Sequence, residues 1–157
     1  MPALEFRNAT EADMPFLIAL RNATMNEHLE RVNAARDEAA QLARIQALFE
    51  HARIVSMNGR DIGLLKAYKE PTRWNIAQIQ IAPEFQRQGL GRAIIEKVLN
   101  EASRDQLPTT LRVLTGNPAK RLYETLGFRE VGREGVDHLM VCPPRPNPFP
   151  ASTSASA

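Results

Sequence analysis

Residues 76–99 hold the densest chemistry in the chain: Ile76-Ala-Gln-Ile-Gln-Ile81, Ala82-Pro-Glu-Phe85, Gln86-Arg-Gln-Gly-Leu-Gly91 and Arg92-Ala-Ile-Ile-Glu-Lys-Val-Leu99. The first part is β-branched and bounded by Pro83, which predicts a buried strand. The last part sets Leu90, Ile94 and Val98, with Ile95 and Leu99, at helical spacing, which predicts an amphipathic helix. Between them Gly89 and Gly91 lack a Cβ, so the backbone can take positive φ and approach a ligand closely. The first amides of a helix are unsatisfied donors and carry roughly +0.5 of a charge. Strand, glycine turn and helix N-terminus together make an anion site suited to a pyrophosphate. A nucleoside-triphosphate loop is a poor fit, because no Lys-Ser/Thr follows the glycines. The dinucleotide fingerprint also fails, since Ile94 stands where a third small residue is needed.

Other chemistry is sparse. His28, His51 and His138 are scattered and Cys142 is the single cysteine. Without a His-x-x-x-His or Cys-x-x-Cys spacing, no metal site is expected. No local Ser/His/Asp or Cys/His nucleophile signature occurs. A lone cysteine cannot form an internal disulfide, which fits a reducing compartment. At 157 residues the chain is one domain with a real core, and its net charge of +2 is spread along its length. Nucleic acid is therefore not an expected partner, despite a pI near 9.0. Glu5, Glu11 and Asp13 with no apolar run argue against a signal peptide, and no stretch approaches the ~20 apolar residues that cross a bilayer. The expectation is a cytoplasmic protein without membrane contact.

The elements that must position the turn follow from pattern. Leu4–Asn8 reads as a strand, and Thr10-Glu-Ala-Asp13 as a capping-box start to a helix through Phe16, Leu17 and Leu20 to about Leu29. Residues 35–50 read as a second helix with Leu42, Ile45, Leu48 and Phe49 on one face. Arg53–Met57 and Ile62–Tyr68 alternate as strands around Asn58-Gly59, a hairpin signal. Thr110–Leu114 is a further strand. Pro118 opens a helix over Ala119–Leu126 that stops at Gly127, and Phe128–Gly132 with Asp137–Cys142 form a final strand pair. The order β-α-α-β-β-β-α-β-α-β-β predicts an α/β fold, a mixed central sheet flanked by helices, over residues 1–142. Residues 143–157, rich in Pro, Ser and Ala, read as a disordered tail, with a Pro-rich partner motif as the alternative.

A second motif, Asn117-Pro-Ala-Lys-Arg-Leu-Tyr-Glu-Thr-Leu-Gly-Phe128, follows one strand and one turn after the glycine helix. With it the chain resembles the GNAT superfamily of acyl-CoA-dependent N-acyltransferases. Gln86-Arg-Gln-Gly-Leu-Gly91 matches that family's Gln/Arg-x-x-Gly-x-Gly/Ala, and the downstream motif matches except that its alanine, Ala119, falls one place early. The likeness in element order covers roughly residues 4–142. It implies acetyl-CoA as cosubstrate, with the amides of Gln86, Arg87, Gln88, Gly89, Leu90, Gly91 and Arg92 on the pyrophosphate. It also implies Ile79 and Ile81 along the pantetheine arm, and the Ile81 amide as donor to the thioester oxyanion. Asn117 would position the cofactor or the departing thiol, and Tyr123 would be the general acid for the thiolate. Relatives often dimerise, so a homodimer is part of the expectation.

The chain departs from the family where some relatives carry a glutamate near the start of the central strand. Trp74-Asn-Ile-Ala-Gln-Ile-Gln-Ile81 offers Asn75, Gln78 and Gln80, and an amide cannot act as a base. Glu27 and His28, in a region resembling the family's acceptor wall, and His138 on the last strands remain as substrate-side candidates, with Gln78. Deprotonating a lysine-like amine at pH 7 costs about 4.6 kcal/mol, against about 1.1 kcal/mol for an α-amine. Without a strong base the acceptor is expected to be a small-molecule or amino-acid-like amine. The competing reading is a non-catalytic acyl-CoA sensor or interaction domain.

Overall fold

The structure, a computed structural model, describes residues 3–32 and 38–146. The elements are β1 (Leu4–Asn8), α1 (Met14–Val32), α2 (Glu38–Gln46), β2 (Ala52–Met57), β3 (Arg60–Lys69), β4 (Trp74–Ile81), α3 (Leu90–Arg104), β5 (Thr109–Leu114), α4 (Ala119–Thr125), β6 (Arg129–Glu134) and β7 (Asp137–Cys142). This is the order expected from the sequence. The strands form one mixed sheet in the order β1-β2-β3-β4-β5-β7-β6. The parallel β4–β5 ladder is short, pairing Trp74–Ile76 with Thr109–Leu111. The chain divides into two compact units, Met1–Ala67 with Ala77–Ile94 and Tyr68–Ile76 with Ile95–Ala157.

In the first unit, Leu17 and Leu20 of α1, Ile45 of α2, Ala52 and Ile54 of β2, and Leu64 of β3 form a buried cluster. The β2–β3 hairpin turns at Asn58 and Gly59, both at positive φ (54° and 80°), as Asn-Gly requires for a turn matching strand twist. The Thr10 N–H donates to Asp13 Oδ2 at 2.8 Å, so the expected capping start is present, although it opens a short 3-10 turn before α1. Asp13 also takes a two-pronged contact from Arg7 on β1 (2.9 and 2.8 Å), which holds its carboxyl below the usual range against the opposing effect of burial.

The second helix differs from expectation. It spans Glu38–Gln46, and a separate 3-10 turn covers Phe49–His51. Leu48 sits at φ +56° between them, and Leu42 and Leu48 are 39% and 38% exposed, so only Ile45 of the predicted apolar face is fully buried. Lys66 caps the C-terminal end of α2. Its Nζ, on a side chain only 2% exposed as a residue, donates to the carbonyls of Arg44, Ile45 and Ala47 at 3.1, 2.9 and 2.6 Å. Three carbonyls at a helix C-terminus satisfy the ammonium that burial would otherwise strand.

In the second unit, β7 pairs antiparallel with β5 from Thr109↔Cys142 to Leu114↔Asp137, and β6 pairs with its other edge. His138, Met140 and Cys142 alternate into the interior with Leu111, Val113, Leu126 and Phe128. Gly127 takes φ +110°, ending α4 as expected. The Cys142 thiol is buried, which raises its pKa, and its Sγ lies 3.8 Å from Leu126 O, so it is a packed group and not an activated nucleophile. The start of the expected tail is tied down: Arg145 N donates to Ser103 Oγ at 2.9 Å and Arg145 Nη2 to Leu126 O at 3.2 Å. The rest of the predicted disordered segment, from residue 147 on, lies outside the described residues. No helix among the described residues is long and apolar enough to cross a membrane.

Candidate functional site

In the first unit β4 ends at Ile81 and leads through a 3-10 turn, Pro83–Phe85, into residues 86–89 and then α3. Arg60 fixes the 3-10 turn, its guanidinium lying 4.9 Å from the Phe85 ring centre and 2.9 Å from Glu84 Oε2. Two side chains then fold the following loop back on itself. Gln86 Nε2 donates to Ile81 O at 2.9 Å, and Gln88 Nε2 to Glu84 O at 3.3 Å. Arg87 and Gly89 take positive φ, 64° and 78°, with Gln88 between them. Such alternation turns successive N–H groups toward one concavity, a nest for anions. Among the described residues, no hydrogen bond takes up the backbone N–H groups of Arg87, Gln88, Gly89, Leu90 or Gly91, and the first bond of α3 runs from Ala93 N to Gly89 O.

The glycines divide the work differently from expectation. Gly89 supplies the left-handed turn, whereas Gly91 is the second residue of α3 and helical; the other positive φ belongs to Arg87. A non-glycine residue held there is strained, and such strain gathers at ligand clamps.

Along β4, Trp74, Ile76 and Gln80 are buried while Gln78, Ile79 and Ile81 are half-buried. The strand is thus less uniformly buried than its composition predicts. Gln80 is a polar residue on the buried side, and its Nε2 donates to Thr24 Oγ1 of α1 at 3.0 Å. β3 comes close enough that a Cβ on Gly63 would stand 2.5 Å from Gln80 O. Glu27 and His28 lie on α1 where side chains are outside the described residues, so their part stays an expectation.

In the second unit, Asn117 follows Gly116 (φ +87°) after β5. Its Oδ1 accepts from Ala119 N at 2.9 Å, leaving the Nδ2 amide end to donate outward. Tyr123 on α4 is half-buried and meets the Phe128 ring edge-on at 5.9 Å. Burial raises its phenol pKa. No group among the described residues bonds its hydroxyl. His138 is 4% exposed, with Nε2 at 3.1 Å from Thr115 Oγ1 and Nδ1 at 3.1 Å from Glu130 Oε1.

Sequence reasoning passed over Thr24, Gln80, Lys66, Thr115 and Glu130. Gln80 had a usable signal, since it shares strand parity with the apolar Trp74 and Ile76. The others are joined by long-range pairing that no local pattern carries.

Residues 21–142 match the acetyltransferase (GNAT) domain family. The ribosomal protein bS18-alanine N-acetyltransferase of Escherichia coli (strain K12) is 44% identical over 63 residues, 39% of this chain and 40% of that protein. The chain thus matches about two fifths of the length of that curated relative. The crystal structure of the E. coli ribosomal-protein-S18-alanine N-acetyltransferase superposes with a TM-score of 0.66 at 20% identity, covering 92% of this chain and 96% of that one. A PaiA N-acetyltransferase from Thermoplasma acidophilum, solved in complex with coenzyme A, gives a TM-score of 0.70 at 13% identity, covering 90% and 99%. With a family match over most of its length and the same fold in solved members, the chain belongs to the GNAT acetyltransferase family.

Proposed function

We propose that the protein is an acetyl-CoA-dependent N-acetyltransferase that acetylates an α-amine. The observation that carries this reading is the run of five unclaimed amides at Arg87–Gly91, shaped by Arg87 and Gly89 and set at the start of a fifteen-residue helix. These donors, with that of Arg92, suit the pyrophosphate of coenzyme A; the Gln86 N–H, expected to join them, is instead committed to Pro83 O at 3.2 Å, where it closes the 3-10 turn. Ile79 and Ile81, past the end of the short β4–β5 ladder, are assigned to the pantetheine arm. The family resemblance supports this assignment.

The neutral amine attacks the thioester carbon, and its electrons move onto the carbonyl oxygen. The Ile81 N–H donates to that oxyanion; removing a comparable donor elsewhere costs about 2.7–4 kcal/mol. Collapse breaks the C–S bond, Tyr123 donates a hydrogen bond to the departing thiolate, and Asn117 orients the thiol end. The amine's surplus proton leaves to water, which favours a weakly basic nitrogen. No carboxylate stands on β4 to take that proton, and the relative named for an alanine acceptor supports the same class. The acceptor is therefore an amino-acid-like molecule or a polypeptide N-terminus, and the protein acts in the cytoplasm.

The test is thiol release from acetyl-CoA across a panel of amines at pH 7. Acceptor-dependent release is expected, faster for α-amines such as an alanyl peptide than for lysine side chains. Tight acetyl-CoA binding with no acceptor-dependent release would replace the enzyme by an acyl-CoA sensor, and a preference for lysine side chains would overturn the α-amine assignment.

A further inference from the structure

Within the second unit a ring of side chains closes around the segment that bears Asn117. His138 on β7 bridges Thr115 Oγ1 at the end of β5 and Glu130 Oε1 on β6, each at 3.1 Å. The same Glu130 oxygen accepts from Lys120 Nζ on α4 at 2.8 Å, and Arg133 Nε stands 3.7 Å from its other oxygen. Thr115 donates both its N–H and its hydroxyl to Val136 O at 2.9 Å. Both ends of the short stretch Gly116-Asn117-Pro118-Ala119 are thereby fixed to the hairpin of β6 and β7.

Carboxylate, imidazole and hydroxyl in line resemble a nucleophilic triad, but the proton count excludes one. The Thr115 hydroxyl proton is committed to Val136 O, so Nε2 must be the donor to Thr115 Oγ1. The imidazole cannot then take a proton from the threonine. Nδ1 stands 3.1 Å from Glu130 Oε1, off the line of an aligned hydrogen bond. What the ring does is hold geometry. Gly116, Asn117 and Pro118 are exposed, and the Asn117 side chain is held only locally, by the Ala119 N–H on its Oδ1, so the direction of the whole turn depends on what anchors its two ends.

We propose that His138 and Glu130 are positioning residues, which aim the Asn117 Nδ2 amide at the thiol half of coenzyme A. The inference rests on the proposed function, in which Asn117 contacts that half. Calorimetric titration with coenzyme A and with adenosine 3′,5′-diphosphate, which lacks the pantetheine and thiol, separates the two ideas. His138→Gln and Glu130→Gln are each expected to weaken coenzyme A about fivefold, the loss of one oriented hydrogen bond, with the nucleotide unchanged. Asn117→Ala should show the same selective loss, and Glu130→Asp should recover part of it. Should His138→Gln fail to fold, Glu130→Gln on the edge strand carries the test alone. Selective loss in Asn117→Ala but not in the ring variants overturns the inference. Equal loss of both ligands also overturns it, because that marks general destabilisation. A wild-type protein that binds neither ligand overturns the proposed function itself, and this inference with it.

Discussion

A thiol with a pKa near 8.5 is a stronger acid than a phenol near 10, so full proton transfer from tyrosine to the departing thiolate runs uphill by about 2 kcal/mol. Burial raises the Tyr123 phenol further and widens that gap. In the proposed mechanism Tyr123 is therefore a neutral hydrogen-bond donor to developing charge. A donor used only as charge develops lowers the barrier without tightening the ground state. Tyr123→Phe is expected to lower kcat about tenfold or more, with KM for acetyl-CoA changed less than about twofold. Steady-state kinetics with acetyl-CoA varied would check this, and an unchanged kcat would remove the role. Tyr123 and Asn117 are proposed from the sequence because their spacing within one short motif carries them. His138 was legible only as a residue type. Its surroundings depend on Glu130 and Thr115, eight and twenty-three positions away, which β-pairing brings together.

At the scale of elements, local chemistry was most legible where backbone conformation is dictated by residue type. Asn58-Gly59 makes the hairpin, Gly127 ends α4, and Gly89 makes the left-handed turn. Arg87 shows the limit: nothing in an arginine announces positive φ, and the Gln86 and Gln88 side chains bracing the loop impose it. Periodicity misled in α2, where Leu42 and Leu48 matched a helical stripe but are largely exposed, Leu48 because it lies past the helix end at Gln46. A buried lysine on a strand is the element that local pattern could not supply. Lys66→Met removes a donor from three carbonyls and should lower stability by about 1–3 kcal/mol, read as a shift in the urea midpoint. An unshifted midpoint would mean that solvent replaces the ammonium at no cost.

Taken whole, the chain offers a mixed sheet, and the order of strands and helices along the chain was legible, because alternation and helical spacing survive in nearly every segment; the order of strands within the sheet, with β7 between β5 and β6, was not. The division into two compact units was not legible, since it cuts through β3, β4 and α3, elements that read as continuous in sequence. The whole-molecule claim is that the loop between β4 and α3 is a backbone cradle for a diphosphate. The direct measurement is titration of coenzyme A into 15N-labelled protein, following amide resonances, beside the variant Gly89→Val. A Cβ at Gly89 meets no atom within 4 Å, so that substitution acts through the disfavoured φ and not through crowding. The account predicts saturable shifts centred on Arg87–Gly91 and at least about tenfold weaker binding in Gly89→Val. Shifts centred elsewhere, or a variant that binds as well as the parent, would contradict it.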